Sequence, residues 1–337
     1  MKTKIPLSLS VTRHLAQAVL SPQRAREEVL SLAPGEARGR FALEGILNVA
    51  CLQLKAGQFH RFGDWLQHMA ALMGEALKKE SLLVCLPKYA FLELVRCLPS
   101  GGEGLFYALR SPEAYRQLLE GLGDYLCQLA CEVFDALAQR YGVYLAAGVI
   151  PTRVGDSWRH RMYLFGGEGE PYTQDELSPG AFARQAGITP GEELAVKQTA
   201  SGTFLLLGEE DLGYYEYLKI GAAMGADVVV TPSWENPDVM AAVDLPRLRA
   251  QEENLFVVRT AAVCDGLNPV VSGAYGPVAL SRMRDGIIRE TARGEEERVL
   301  TARLDLDRLH GLVDLEVAQR SPELEAQLRE LYFPEGE

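Results

Sequence analysis

The sequence predicts an α/β layered fold, in which buried strands alternate with helices along the chain. Apolar runs of the length and composition typical of strands buried on both faces occur at residues 46–54, 82–86, 203–207 and 226–231. Amphipathic segments of helical length separate them, the clearest at residues 62–79 and 112–141. Because such strands must be covered on both sides, we expect helices outside the sheets.

Bulk composition places the chain among soluble globular proteins. Its 337 residues are 47% hydrophobic and 24% charged, with a net charge of −12. The negative charge argues against nucleic acid or an anionic membrane as a main partner. No apolar run approaches the roughly 20 residues that span a bilayer. The N-terminus also lacks the long apolar region of a signal peptide. We therefore expect a cytoplasmic protein.

The ends of the chain form extensions of one main domain. Residues 1–42 carry a loose helical stripe that predicts packing on the main domain or on a partner subunit, with a regulatory role as the alternative: Leu15, Val19, Ala25, Val29 and Leu30. The main domain is assigned to residues 43–316. The acidic tail at 317–337 is predicted to be helical at residues 322–332.

Further strands complete the main domain. They are predicted, from runs rich in apolar and β-branched residues, at residues 143–150, 161–165, 255–259, 270–272, 278–280, 287–290 and 298–304. No internal repeat, low-complexity tract or flexible linker divides the chain.

The cysteines and histidines show no metal-ligand spacing. Cys127 and Cys131 lie four residues apart on a predicted helix, which could suggest half a metal site, but no histidine or second cysteine pair lies near them in sequence. We interpret them as buried, reduced thiols, and give Cys264, after a core strand, the same structural role. Neither a metal nor a cofactor is expected.

Residues 202–236 form the stretch around which the chain is organised. A buried strand ends at Leu207, the cluster Gly208, Glu209, Glu210 and Asp211 follows, and a helix is predicted at residues 214–224 before the next strand. A sharp turn between a strand and a helix can hold one side chain over a pocket, where the helix start favours negative charge. That side chain would be Glu209.

This unit resembles the nucleophile elbow of the nitrilase (carbon–nitrogen hydrolase) superfamily, usually Ile-Cys-Tyr-Asp-x-x-Phe-Pro-Glu before a helix and Gly-Ala-Asp. Here residues 208–216 occupy the pattern, and Gly225-Ala226-Asp227 and Pro232-Ser233-Trp234 follow at the expected distances. Later landmarks also fit, including Arg249-Ala250 with Glu253-Asn254 and the closing Asp305 to Leu309. The resemblance covers about 270 residues. It implies a nitrilase-like four-layer α-β-β-α sandwich that forms a homodimer or a higher homo-oligomer.

All three positions of the family's Glu–Lys–Cys triad are substituted. The strand that should end in Pro-Glu ends in Pro87-Lys88, so Lys88 replaces the general base. Gln174 stands at the lysine that stabilises the oxyanion, and Glu209 replaces the cysteine. A lysine ammonium has no lone pair to take a proton, and a carboxylate is a weak nucleophile towards amides.

The substitutions predict a new interaction. Lys88 and Glu209 would face one another if the fold is kept, with their charges exchanged relative to the family. Opposite charges about 4 Å apart gain roughly 4 kcal/mol at an effective dielectric of about 20, before the cost of desolvation. We therefore predict a buried Lys88–Glu209 ion pair.

Residues beside the triad positions are candidates for ligand binding. They lie on the elbow, at the helix start, after the next strand and at the family's asparagine position: Glu210, Asp211, Tyr214, Tyr215, Ser233, Trp234 and His160. Four of them have a plainer structural interpretation: Asp211, Tyr214, Tyr215 and Trp234. Asp211 can hold the elbow, and the aromatic residues can serve as core or interface packing.

Three functions remain open at this level. The first is a non-hydrolytic relative that keeps a pocket for a small amide, nitrile or carboxylate ligand. The second is an enzyme of altered chemistry, in which Glu209 acts as base or nucleophile and a desolvated Lys88 acts as acid or amine nucleophile. The third is a structural role in an oligomer, with contacts made by the terminal extensions.

Overall fold

The computed structural model describes residues 16–33, 45–98, 111–167, 169–234, 239–263, 271–292, 296–319 and 321–332. Leu15 and Cys264, for which the sequence predicts structural roles, lie outside these ranges. Within the described ranges, no helix is long and apolar enough to cross a membrane.

Twelve strands are found in the described ranges. The first five are β1 (Ile46–Gln53), β2 (Leu83–Cys85), β3 (Tyr144–Val154), β4 (Ser157–Phe165) and β5 (Tyr172–Asp175). The next four are β6 (Lys197–Thr199), β7 (Gly202–Leu206), β8 (Val228–Pro232) and β9 (Phe256–Thr260). The last three are β10 (Gly273–Tyr275), β11 (Ile287–Glu290) and β12 (Arg298–Asp305).

The helices lie between these strands and at the ends of the chain. The first five are α1 (Pro22–Ser31), α2 (Phe62–Lys78), α3 (Leu92–Arg96), α4 (Pro112–Tyr141) and α5 (Ala181–Gln185). The other four are α6 (Tyr215–Ala223), α7 (Val239–Glu252), α8 (Leu306–Gln319) and α9 (Pro322–Tyr332). The long helix α4 has the predicted bounds, because Ser111 caps its start and Gly142, in the left-handed region, ends it.

The strands form two six-stranded sheets. The first has the order β12-β1-β2-β3-β4-β5, and the second has the order β11-β10-β9-β8-β7-β6. β1, β2 and β3 are parallel, as are β7, β8 and β9. β12 runs antiparallel along the whole of β1, from Ile46 opposite Asp305 to Gln53 opposite Arg298, so the last strand of the chain completes the first sheet.

The two faces of the second sheet contact two different cores. Phe204 and Leu206 of β7 join the large core that includes the first sheet. Leu205 of the same strand joins a smaller core with Leu218 of α6. Successive side chains of a strand point to opposite faces, so this division puts the second sheet between the first sheet and its own helices. The predicted α-β-β-α sandwich is confirmed.

Some local predictions fail. Residues 278–280, predicted as a strand, form a turn in which the Leu280 N–H bonds to the Pro277 carbonyl. Of the strand predicted at residues 270–272, residue 270 lies outside the described ranges, and residues 271 and 272 precede the strand found at Gly273–Tyr275. The predicted elbow helix, by contrast, is found at Tyr215–Ala223, after a 3₁₀ turn at Asp211–Gly213 that was not predicted. Short apolar runs have no periodicity strong enough to fix these boundaries.

The described part of the N-terminal extension packs on α4 of the same chain. Arg26 contacts Glu132 at 3.1 Å and Asp135 at 2.7 Å, and the Tyr125 hydroxyl donates to the Leu20 carbonyl at 2.7 Å. Of the predicted apolar stripe, Ala25 and Val29 are buried against the core. Val19 and Leu30 are instead exposed, by 50% and 37%, so the stripe is narrower than predicted.

The C-terminal helix α8 is tied to the second sheet. His310 Nε2 lies 2.6 Å from Oδ1 of Asp227, whose other oxygen accepts the Thr203 N–H at 2.7 Å. This helix continues to Gln319, past residue 316, where the sequence places the end of the main domain. The division of the chain into 1–42, 43–316 and 317–337 stays a prediction.

Candidate functional site

The site lies where parallel strands of the two sheets end. Lys88 follows β2, Glu209 follows β7 and Ser233 follows β8, each at the carboxyl end of its strand. The Lys88 N–H donates to the Ser233 carbonyl at 3.2 Å, which joins the two sheets at this end. The predicted Lys88, Glu209 and Ser233 are therefore brought to one region by the topology.

A β-bulge in β3 positions Lys88. Pairing of β3 with β4 shifts between Ala146 and Val149, and Gly148 within the shift has φ +73°. A Cβ atom on Gly148 would lie 2.2 Å from the Pro87 carbonyl oxygen. This distance is too short for any residue type that has a Cβ atom, so only glycine fits at the bulge. The Val149 N–H then donates to the Lys88 carbonyl at 2.7 Å. The glycine therefore allows the backbone of Lys88 to lie against β3.

Lys88 is paired with two carboxylates, neither of which is Glu209. Its Nζ lies 2.7 Å from Oε1 of Glu176 and 2.6 Å from Oε2 of Glu210, and the residue is 3% exposed. Burial alone would lower the pKa of Lys88, but the Glu176 and Glu210 carboxylates outweigh it, and the pKa is raised well above its usual value. The predicted Lys88–Glu209 pair is thus wrong as a direct contact, because Glu176 and Glu210 are the carboxylates that contact the ammonium. Lys88 affects Glu209 through its charge, which opposes the rise that burial causes in the pKa of Glu209.

Glu176 extends this ion pair into a buried chain of hydrogen bonds. Its Oε2 lies 2.7 Å from Nδ1 of His160, and Nε2 of His160 lies 3.1 Å from the Tyr115 hydroxyl. Burial would raise the pKa of Glu176, but Lys88 and His160 together lower it to about 2. The predicted residue His160 is therefore part of the site, and the Glu176 carboxylate links its ring to the Lys88 ammonium.

Gln174 takes no part in this series of buried hydrogen bonds. Its amide nitrogen donates to the carbonyls of Glu193 and Asp175, and its oxygen accepts the Ala195 N–H at 3.1 Å. The residue that reaches Lys88 is Glu176, two positions further on and just beyond β5. Sequence reasoning missed Glu176, although an acidic residue beside Leu177 and two positions from a predicted site residue was a usable signal.

The first residue of the elbow makes room for Glu176. A Cβ atom on Gly208 would lie 2.7 Å from Oε1 and 2.8 Å from Cγ of Glu176. The family pattern usually has isoleucine at this position, and any β-branched side chain there would occupy the space of the Glu176 carboxylate. Gly208 therefore leaves the space occupied by the Glu176 carboxylate that pairs with Lys88.

Glu209, at the nucleophile position, is buried and only partly bonded. It is 8% exposed, and its Oε2 accepts the Trp234 N–H at 3.2 Å. Its Oε1 has no hydrogen-bond partner among the described residues. Burial raises the pKa of Glu209, although the nearby Lys88 ammonium opposes the shift. Glu209 thus presents a carboxyl oxygen whose hydrogen-bonding capacity the described protein groups leave unused.

Asp211 holds the elbow in shape. Its carboxylate accepts N–H groups from Gly208 at 2.9 Å, Ser178 at 2.6 Å and Leu177 at 3.3 Å. Burial, followed by the charge of Glu176, raises the pKa of Asp211 to about 7. Three backbone bonds to one side chain fit the plainer interpretation, in which Asp211 fixes the backbone that carries Glu209.

The other predicted binding residues divide between interior and surface. Ser233 is buried, with no hydrogen-bond partner for its hydroxyl among the described residues, and the Trp234 ring packs edge-on against Tyr89 with centroids 5.5 Å apart. Tyr214 and Tyr215 are 50% and 48% exposed, so they lie on the surface of the elbow helix. Their sequence position beside the elbow did not distinguish the two faces of a short helix.

The ionisable residues described at this site are not arranged as metal ligands. Within the described ranges, no group of three or more His, Cys, Asp or Glu side chains has the arrangement of a metal site. The chemistry the geometry supports is that of one fixed ammonium, surrounded by carboxyl groups with different pKa values. Lys88 and Glu176 are held in their charged forms, whereas burial raises the pKa of Glu209 above its usual value.

Comparison with known proteins finds similarity in structure only. No protein-family model matches the chain. No curated protein matches it either. A carbon–nitrogen hydrolase from Helicobacter pylori G27 is similar with a TM-score of 0.64 at 20% identity, covering 85% of this chain and 98% of that one. An amidase from Nesterenkonia sp. gives 0.61 at 17% identity, over 86% and 98% of the two chains.

A third structure gives the same result. Nit3 of Saccharomyces cerevisiae, described as a member of branch 10 of the nitrilase superfamily, has a TM-score of 0.56 at 20% identity. The match covers 80% of this chain and 94% of that one. At these identities the similarity establishes the fold, which is that of the nitrilase superfamily.

Proposed function

We propose that this chain, which has the fold of the nitrilase superfamily, is a non-hydrolytic member of that superfamily with an interior site for a small amide, nitrile or carboxylate compound. The observation that carries the proposal is the ion pairing of Lys88 with Glu176 and Glu210. The resemblance gives this position to the general base. An ammonium whose pKa is raised has no lone pair with which to take a proton.

The group at the elbow supports the same conclusion. A hydrolytic member needs a thiolate there, whereas this chain has the carboxyl group of Glu209. Attack by a carboxylate on an amide would form a mixed anhydride that reverts easily. Burial also raises the pKa of Glu209, which reduces the fraction in the nucleophilic form.

A retained binding site is supported by unused polar atoms. Oε1 of Glu209 and the hydroxyl of Ser233 are buried and have no hydrogen-bond partner among the described residues. A buried polar atom without a partner costs about 1–3 kcal/mol, so a ligand that bonds to it gains a corresponding advantage. The carboxyl and amide groups of the proposed ligands offer both donors and acceptors.

Two measurements on the full-length protein test this function. The first is ammonia release over a panel of amides, nitriles and ureido compounds. The second is the thermal unfolding midpoint with each compound and with the matching carboxylic acids. We expect no ammonia and a raised midpoint with at least one compound.

Matched variants show whether the interior site is responsible. Glu209→Ala should abolish the stabilisation, whereas Glu216→Ala, which removes the same charge from an exposed position of the elbow helix, should keep it. Ammonia release that disappears in Glu209→Ala would overturn the non-hydrolytic proposal. An unchanged midpoint with every compound would overturn the ligand site.

An enzyme of altered chemistry is the second candidate, and the buried carboxyl group of Glu209 favours it. A carboxyl group whose pKa is raised can donate a proton at a higher pH than an exposed one. Lys88 is an unsuitable amine nucleophile, since its pKa is raised rather than lowered. This candidate predicts a turnover rate that falls as the pH rises through the titration of Glu209. It also predicts that the Glu209→Gln variant has no turnover.

The structural role in an oligomer has less support. The described part of the N-terminal extension packs on α4 of its own chain through Arg26 and Leu20, rather than standing free for a partner. Assembly as a homodimer or higher homo-oligomer remains part of the proposal. Sedimentation of the full chain and of a variant lacking residues 1–40 would test both. A change of oligomeric state on truncation would support the structural role.

A further inference from the structure

Carboxyl groups outnumber the cationic side chains that contact them at the interior site. Lys88 contacts two of these carboxyl groups, and the His160 ring contacts one of the same two. Three of the four belong to consecutive residues of the elbow, and the fourth follows β5: Glu209, Glu210, Asp211 and Glu176. With every group ionised, including His160, the site therefore has an excess of negative charge.

A more distant cation, Arg259, does not balance this excess. It lies on β9, and its guanidinium donates to the Val271 carbonyl at 2.9 Å and to the Tyr275 hydroxyl at 3.4 Å. Burial raises the pKa of Glu209, and Arg259 opposes this shift less than Lys88 does. The guanidinium thus acts on Glu209 only at long range, while it is bonded to other groups.

Glu209 is the carboxyl group that lacks a direct cationic partner. Glu176 and Glu210 both contact the Lys88 ammonium, and Asp211 accepts backbone N–H groups. Glu209 is 8% exposed, and its Oε2 accepts the Trp234 N–H at 3.2 Å. Its Oε1 is buried and has no hydrogen-bond partner in the described part of the chain. This oxygen is therefore the atom at which a cationic group would be bound most favourably.

The residue before Trp234 supplies a second unused polar group. The hydroxyl of Ser233 is buried, again with no partner among the residues the structure describes. Because Trp234 donates its N–H to Glu209, the backbone after β8 holds Ser233 close to the elbow carboxyl group. A hydroxyl group both donates and accepts, so it can bond to either side of an amide.

Aromatic rings beside these two groups are also compatible with a cation. The rings of Trp234 and Tyr89 pack edge-on with centroids 5.5 Å apart, and Lys88 Nζ lies 5.7 Å from the Tyr89 centroid. Aromatic faces attract ammonium groups, particularly where water is excluded. The surroundings of Glu209 thus already accommodate one ammonium against an aromatic ring.

The charge of the site distinguishes between possible ligands. A second carboxylate would add to the excess of negative charge, which the interior stabilises poorly. A neutral amide can donate an N–H to Oε1 of Glu209 but leaves the excess unchanged. An ammonium group donates a charge-assisted hydrogen bond, which is about twice as strong as a neutral one, and it also balances the charge.

We propose that the ligand of the interior site is a small amide that also carries an ammonium group, with the ammonium bonded to Oε1 of Glu209 and the amide bonded to the Ser233 hydroxyl. This inference rests on the proposed function and narrows it, because it selects cationic amides over neutral ones and disfavours carboxylates. Specificity for the cation is assigned to Glu209, and recognition of the amide is assigned to Ser233.

Three amides of similar length test the charge preference on the full-length protein. They are 4-aminobutanamide, pentanamide and succinamate, in which the group opposite the amide is an ammonium, a methyl and a carboxylate. The dissociation constants are measured by isothermal titration calorimetry at about pH 7.5, where the amine is protonated. We expect 4-aminobutanamide to bind roughly tenfold more tightly than pentanamide, and succinamate to bind more weakly than either.

Matched variants assign the two ends of the ligand. Glu209→Gln keeps the size of the side chain but removes its charge, so the tenfold preference should disappear while pentanamide binding changes less than about threefold. Glu216→Gln removes a charge from an exposed position of the elbow helix and should keep the preference. Ser233→Ala should weaken both 4-aminobutanamide and pentanamide, by a similar factor of roughly threefold to tenfold.

The outcomes separate this inference from the function on which it rests. Binding of pentanamide or succinamate as tight as that of 4-aminobutanamide would overturn the inference and leave the ligand site in place. A preference that survives in Glu209→Gln would also overturn it. Ammonia release from the amides would overturn the non-hydrolytic function alone, and a KM for 4-aminobutanamide roughly tenfold below that for pentanamide would then still support the inference. No binding of any of the three would overturn it.

Discussion

The ammonium nitrogen of Lys88 lies 2.7 Å from Oε1 of Glu176, and both side chains are almost completely buried. Removing one partner of such a pair leaves an uncompensated charge in the interior. We expect Lys88→Met to lower the free energy of unfolding by about 3–5 kcal/mol, measured by urea denaturation. Adding Glu176→Leu to this variant should recover a large part of the loss. If the losses of unfolding free energy in the two single variants simply add in the double variant, direct pairing of Lys88 with Glu176 is contradicted.

Stability should fall in acid because of Glu176. Its pKa is about 2 in the folded protein and about 4.3 in the unfolded chain, so the folded state favours the charged form. The contribution is therefore complete above about pH 4.3 and is lost as pH falls towards 2, to a total of about 3 kcal/mol. The measurement is the unfolding free energy against pH for the natural sequence and for Glu176→Gln. Parallel curves between pH 5 and pH 2 would exclude this role.

The bulge glycine of β3 should be more sensitive than another glycine with similar backbone angles. Gly148 and Gly155 both have positive φ, +73° and +60°, but only a Cβ at Gly148 meets an atom, the Pro87 oxygen at 2.2 Å. Gly155→Ala should cost about 1–2 kcal/mol of unfolding free energy from backbone strain alone. Gly148→Ala should cost at least about 2 kcal/mol more, and should move Lys88. Equal losses in thermal or urea unfolding would show that the close approach is unimportant.

Two helix glycines should respond to alanine with opposite signs. Gly74 of α2 has no atom within 4 Å of the added Cβ position, whereas a Cβ on Gly221 of α6 would lie 2.3 Å from Cδ2 of the buried Leu205. Gly74→Ala should stabilise the protein by about 0.5–1 kcal/mol through helix propensity. Gly221→Ala should destabilise it by about 1–3 kcal/mol through overpacking against β7. The measurement is the unfolding free energy of both variants from denaturant titration. Stabilisation by Gly221→Ala as well as by Gly74→Ala would contradict the close packing of the elbow helix.

The outline of the fold could be predicted because its elements have strong local signals. The apolar run that became β8 and the helix α4, with Ser111 before it and Gly142 after it, can be recognised in isolation. The turn at residues 278–280 could not, since a short apolar segment forms a strand only when a neighbouring strand pairs with it.

By itself the sequence determined the layered α/β fold class and the strands and helices with strong local signals, and it singled out Lys88 and Glu209 as candidate site residues, because periodicity and residue identity are local properties. Tertiary structure alone decided the partner of Lys88, which is Glu176 rather than Glu209. It also decided which glycines are sterically required. Both depend on the distance between segments remote in sequence, here Gly208 against Glu176, and sequence patterns do not encode distances of a few ångströms.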